Sequence, residues 1–244
     1  MSILRTLLLT AALLIAAAPA TAQTVDFAGY SWVVRTYPGG PGPNEWREQN
    51  VRVDENGLHL TIQQVDGIWS AAEIFMLGEP LGFGTYEFEI LGDLSNLDRN
   101  VVLGLFNYPG SAEVGPDGTN EIDIEFSQWG DRKNPDRLNW NVYPAVEGAA
   151  KGHHALPLDL RGDASTHRFT WSADRIDYES SDGIAAGAEM MPIGAWSYTP
   201  ANPTAEIPQK PLVVHVNLWL VEGKAPSDGK PVEVTLRNFR YTPQ

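Results

Sequence analysis

Residues 120–126 read "NEIDIEF", in which Glu121, Asp123 and Glu125 alternate with Ile122, Ile124 and Phe126. Strict alternation is the period of a β-strand, whose successive side chains point to opposite faces. The stretch therefore predicts a strand that anchors two isoleucines and a phenylalanine in a core and aligns three carboxylates on the other side. Like charges so close make one another harder to ionise. A charged surface alone does not require so regular and so costly a spacing.

The same period recurs on either side. "LHLTI" (58–62), "TYEFEI" (85–90), "LNWNVY" (138–143), "HRFTW" (167–171), "VVHVNLWL" (213–220) and "VEVTLRNFRYT" (232–242) all alternate. Between them stand "DENG", "GPDGTN", "SDG" and "PSDGKP". Short alternating runs punctuated by turn residues indicate antiparallel strands, and no long stretch has a helical period. The expected fold is all-β, a sandwich or jelly roll. No internal repeat or linker divides the chain. "TYPGGPGPNEW" (36–46) reads as a loop, so residues 23–244 are expected to form a single domain.

Alternation also sorts the neighbouring side chains. In 213–220, Val214, Val216, Leu218 and Leu220 share an apolar side, leaving His215, Asn217 and Trp219 together. Asn139, Asn141 and Tyr143 share one side of 138–143, and Phe106 and Tyr108 one side of "VVLGLFNY" (101–108). In "WSAAEIF" (69–75), Trp69, Glu73 and Phe75 are expected on one side. A face of carboxylates, amides and aromatic rings suits a neutral sugar chain. Rings stack on the apolar faces of pyranoses, while amides and acids bind the hydroxyls.

Composition narrows the partners. The formal net charge is −14, which repels nucleic acid and anionic membrane surfaces. Residues 1–22 place Arg5 before an apolar run and end in "ATA", the layout of a secretory signal peptide. The run is shorter than the roughly 20 residues that span a bilayer. A secreted or periplasmic protein is expected, free of the membrane once the signal is cleaved, and monomeric. It has no cysteine, so its stability rests on core burial. No cofactor and no catalytic metal are expected. The adjacent His153 and His154 would point apart on a strand, which is weak metal chemistry. Asp93, Asp98, Asp131 and Asp136 are read as loop residues that could ligate a structural calcium but more commonly make turns. His215 is expected to hydrogen-bond within the sheet or its rim.

Two carboxyl groups flanking a glycosidic bond are the usual machinery of its hydrolysis, one ionised and one holding a proton. Crowding separates their pKa values, and a central Asp123 would hold up its neighbours. On a straight strand the Cα atoms of Glu121 and Glu125 stand roughly 13–14 Å apart. The side chains must therefore lean together over a curved strand.

"EIDIEF" resembles the active-site strand of family 16 glycoside hydrolases, in the E-x-D-x-E form of lichenases and xyloglucan-modifying enzymes. "WSAAEIF…GFGTYEFEI", "LFNYPG", "NWNVYP", "HRFTW" and "VVHVNLWL" follow the family's order around that strand. The resemblance implies a concanavalin A-like β-jelly roll with a concave substrate cleft, and a retaining endo-β-glycanase acting on a β-glucan-type polysaccharide. It makes Glu121 the nucleophile, Asp123 the assisting acid and Glu125 the general acid/base. It also implies that Glu73, Phe106, Tyr108, Asn141, Asn217 and Trp219 bind sugar. Two positions depart from lichenases, Thr119 where they carry a tryptophan and Phe75 where they carry an arginine. Three other readings use the same face. A transglycosylase would share the covalent intermediate, a carbohydrate-binding module would lack a catalytic carboxylate, and a cell-envelope protein would have a purely structural role.

Overall fold

The alternating runs fold into strands in a computed structural model that describes residues 23–184 and 190–244. The expected signal peptide, residues 1–22, lies outside the described residues. In chain order the first strands are β1 (Thr24–Phe27), β2 (Tyr30–Val34), β3 (Val51–Asp54), β4 (Gly57–Val65), β5 (Ile68–Ser70) and β6 (Ala72–Met76). There follow β7 (Gly84–Leu91), β8 (Val101–Tyr108), β9 (Glu121–Phe126), β10 (Asp136–Tyr143) and β11 (Gly152–Pro157). The last are β12 (Ala164–Trp171), β13 (Ile176–Asp182), β14 (Met191–Tyr198), β15 (Val213–Leu220) and β16 (Val232–Pro243). Among the described residues the one α-helix is the four-residue turn Pro203–Glu206.

The strands form two antiparallel sheets. One has the order β1-β2-β6-β15-β8-β9-β10-β11, and the other the order β14-β13-β12-β7-β16-β4-β3, with β5 added to β4. Their inner faces make one core. From the first sheet it receives Ile122, Ile124, Phe126, Leu138, Trp140, Val142, Val214, Val216 and Leu218, all fully buried. From the second come Leu58, Leu60, Tyr86, Phe88 and Phe169, also fully buried. Slipping β9 by one residue would swap its faces. Ile122, Ile124 and Phe126 would each forfeit about 1.5–3 kcal/mol of burial, and three acids would enter the core. The carboxylates are thereby fixed on the outer face of the first sheet.

Two details differ from the alternation reading. "WSAAEIF" is not one strand. β5 pairs with β4 of the second sheet, β6 pairs with β2 and β15 of the first, and Ala71 between them bridges Trp46. Trp69 consequently packs on the main core while Glu73 and Phe75 belong to the other sheet. Asp136 opens β10 and is not a loop residue.

Candidate active site

β9 lies between β8 and β10, so its outward side chains are flanked by theirs in register. One row across the sheet runs Glu73, Asn217, Gly104, Glu125, Asn139. The next runs Phe75, His215, Phe106, Asp123, Asn141, His153. Tyr143 stands opposite Glu121, and the ring of Tyr108 stands against that of Phe106. The alternation of five strands thus brings all nine candidate residues to one face, with Trp219 opposite Val102 at its end. Gly104 makes room for the Asn217 amide, since a Cβ there would fall 2.4 Å from Asn217 Oδ1.

The three carboxyls are held in unlike states. Asp123 is 3% exposed and its Oδ1 has no partner. Burial first, then the charges of Glu121 and Glu125, push its pKa well above the ordinary range. Burial also pushes Glu125 up to about 8, with the charge of Glu121 adding to it. Glu121 is pushed up to about 7 by burial, while a hydrogen bond with Asp123 pulls it back. Asp117 raises it and the Lys151 ammonium lowers it. Burial thus holds all three above the ordinary carboxylate range, and the hydrogen bond with Asp123 eases the ionisation of Glu121. This corrects the expectation that Asp123 holds up both neighbours. At Glu125 the neighbour that counts is Glu121.

Around these groups the polar contacts are specific. Asn141 Nδ2 donates to Glu125 Oε2 at 3.0 Å, and Asn141 Oδ1 lies 2.7 Å from His153 Nδ1. Tyr108 donates its hydroxyl to Asp117 at 2.6 Å. Lys151 Nζ sits 3.6 Å over the Tyr143 ring. Asn217 is 3% exposed and its Oδ1 has no partner.

Glu73 has a built environment of its own. Its Oε2 accepts from Arg35 Nη1 at 2.6 Å and its Oε1 lies 2.9 Å from His215 Nδ1. Both residues of the Arg35–Glu73 pair are buried, and the guanidinium lies over the rings of Tyr37 and Trp46. His215 stacks between Phe75 and Phe106. The arginine that position 75 lacks thus has a counterpart at the end of β2. Trp219 is outside the main core, in a small cluster with Trp46, Ala71 and Val102.

Alternation could not find Arg35 or Trp129. Arg35 is 38 residues from Glu73, and only the β2–β6 pairing brings it near. Trp129 follows the end of β9 in a turn, carries φ 54° and is 39% exposed. The available signal was "WG" two residues after the acidic strand. The candidate calcium residues make turn contacts. Asp93 accepts from Asn96, Asp98 from Asn100 and Ser227, and Asp131 from Lys133. No three acids, histidines or cysteines among the described residues group as a metal site.

The sequence matches the family described as "Glycosyl hydrolases family 16" over residues 43–235. A beta-glucanase of Acetivibrio thermocellus is 25% identical over 182 residues, 72% of this chain and 51% of that protein. Subtilisin-like protease 5 of Arthroderma otae is 26% identical over 154 residues, 59% of this chain and 38% of that protein. The chain thus spans about half, or less, of the curated relatives it matches. The structure of Bacillus licheniformis beta-glucanase superimposes with a TM-score of 0.60 at 23% identity, covering 94% of this chain and 95% of that one. The family match takes in most of the sequence, with the carboxylate strand near its middle, and on that ground the chain belongs to glycosyl hydrolases family 16.

Proposed function

We propose that the protein is a retaining endo-β-glycanase that hydrolyses a β-glucan-type polysaccharide. The observation that carries this reading is the row of three carboxyls on the outer face of β9, flanked in register by the amides and rings of β8, β10 and β15, with burial holding Glu121 and Glu125 above the ordinary carboxylate range. The form with Glu121 ionised and Glu125 protonated is the one a double displacement needs. The Glu121 carboxylate attacks the anomeric carbon as Glu125 delivers its proton to the departing glycosidic oxygen. The glycosyl ester on Glu121 is then opened by water, whose proton passes to Glu125. Asp123, neutral and hydrogen-bonded to Glu121, supports the anion before attack and after release. The reaction uses no cofactor.

Glu73, Phe106, Tyr108, Asn141, Asn217 and Trp219 are assigned to the face that receives the sugar chain. With residues 1–22 read as a leader, the enzyme works as a monomer, secreted or periplasmic, where polysaccharide is met. Reducing-sugar release across a panel of β-glucans, xyloglucan and galactans tests the activity. Product configuration followed by proton NMR tests the mechanism, retention being expected. No release on any polysaccharide overturns the activity. Inversion overturns the role of Glu121. Products longer than the starting oligosaccharide would instead assign a transglycosylase.

A further inference from the structure

Trp129 is a large apolar residue where folding alone gives little reason for one. Its φ of 54° lies in the left-handed region, where a bulky side chain is strained by roughly 1–3 kcal/mol. The turn is held nonetheless. Trp129 N–H donates to Ser127 Oγ at 2.9 Å, and Gly130 N–H donates to Arg99 O at 2.7 Å. Trp129 is 39% exposed, so a broad part of the indole stays open to a ligand. It is also oriented, with Nε1 donating to Asn139 Oδ1 at 3.4 Å and the ring centroid 6.2 Å from that of Trp219. Asn139 is the direct cross-strand partner of Glu125. The indole is thereby tied to the carboxylate face, at the Glu125 end.

A second observation points to a ligand there. Asn139 Nδ2 and Asn217 Oδ1 have no partner, although both residues are over nine-tenths buried. They lie in one row with Glu125, Asn139 directly beside it and Asn217 across Gly104, whose missing side chain gives the Asn217 amide room to lean towards Glu125. Buried polar groups left unpaired cost about 1–3 kcal/mol each, and the hydroxyls of a seated sugar supply one donor and one acceptor.

We propose that Trp129, oriented by Asn139, forms a pyranose-binding subsite beside Glu125 and stacks on one sugar ring of the polysaccharide. The class of ligand is a neutral pyranose, because a net charge of −14 disfavours uronic acids and sulfated sugars. The inference rests on the glycanase reading and adds a ring that the sequence did not single out.

The test compares wild type with Trp129→Ala and Trp129→Phe. kcat and KM are measured on the best polysaccharide and on oligosaccharides of increasing length, and calorimetry follows binding of the same oligosaccharides. Trp129→Ala should raise KM about tenfold, with kcat and the melting temperature little changed. Trp129→Phe should recover most of that loss. An active wild type whose KM and oligosaccharide affinity survive Trp129→Ala overturns the subsite and leaves the glycanase reading standing. Oligosaccharide binding that depends on Trp129 without any cleavage overturns the glycanase reading and leaves the subsite. Wild type that binds no neutral oligosaccharide overturns the subsite outright.

Discussion

Asn141 donates its amide to Glu125 Oε2 at 3.0 Å, and the imidazole of His153 fixes which way that amide faces. With His153 Nδ1–H donating to Oδ1, Nδ2 is left to donate to the acid. The amide thus supports the Glu125 carboxyl at Oε2. Losing this donor removes support from the ionised form, and the pKa of Glu125 rises. Asn141→Ala should therefore lower kcat/KM roughly tenfold or more and move the alkaline limb of activity to higher pH. A pH–rate profile that loses amplitude without shifting would show that Asn141 serves only to bind sugar.

The same carboxyls set the whole profile. On the proposed mechanism activity needs Glu121 ionised and Glu125 protonated, so it should rise with pH as Glu121 deprotonates near 7 and fall as Glu125 deprotonates near 8. The two limbs belong to the interacting set and not to isolated residues. Asp123→Ala removes the hydrogen bond that favours the Glu121 anion, so the acid limb should move up. Asp123→Asn keeps a donor and should move it less. Measuring kcat/KM of both variants against pH checks the order of the effects.

Holding acids in this environment makes stability depend on pH. The Glu125 pKa is raised in the folded state, so below its unfolded value of about 4.3 both states are protonated. Between that value and about 8 the unfolded chain has released the proton that the folded chain keeps. Stability therefore falls as pH rises through this window. Glu125→Gln removes the effect, and at pH 8 it should melt about 5 °C above wild type, with the gap closing towards pH 4. His167 runs the other way. It is fully buried, faces Ser165 and Ser180, and its pKa is lowered to about 3. Its contribution is present above about 6.5 and is lost as pH falls towards 3. Thermal melts of wild type should therefore weaken at both ends.

What the sequence makes legible is local. Ile122, Ile124 and Phe126 alternate with acids, and alternation alone places them inside and the acids outside. The same reasoning places Asn141, Asn217 and Trp219 on the acid side. It fails where the chain changes sheet, as at Trp69, because periodicity carries no information about which strand will pair. It also fails for Arg35, whose partner is set by pairing across 38 residues. Trp129 lies in a turn, where there is no period to read. The pKa order of the carboxyls depends on Lys151, Asp117 and burial, which are properties of the assembled face.

The buried pair Arg35–Glu73 offers a test of that assembly. Removing one partner of a buried ion pair leaves a charge without compensation, at a cost of about 3–5 kcal/mol. Arg35→Met should therefore lower the melting temperature by roughly 10 °C. Arg35→Met combined with Glu73→Gln leaves no orphan charge and should recover most of that loss. Equal melting temperatures for the single and double variants would show that Arg35 acts by packing on Tyr37 and Trp46 instead.

Trp219 separates binding from packing. Its ring is 9% exposed and shares a small cluster with Trp46, Ala71 and Val102, away from the main core. Truncation to alanine removes both the cluster contact and any surface offered to sugar, so Trp219→Ala should lose about 3–5 kcal/mol of stability and substrate use together. Trp219→Phe keeps much of the contact with Trp46 but presents a smaller ring, so its melting temperature should fall by only a few degrees. If the ring meets the polysaccharide, kcat/KM of Trp219→Phe should still fall about fivefold, chiefly through KM. Unchanged kinetics in a folded Trp219→Phe would make Trp219 a support for its neighbours, and the stacking surface at this end of the sheet would belong to Trp129 alone.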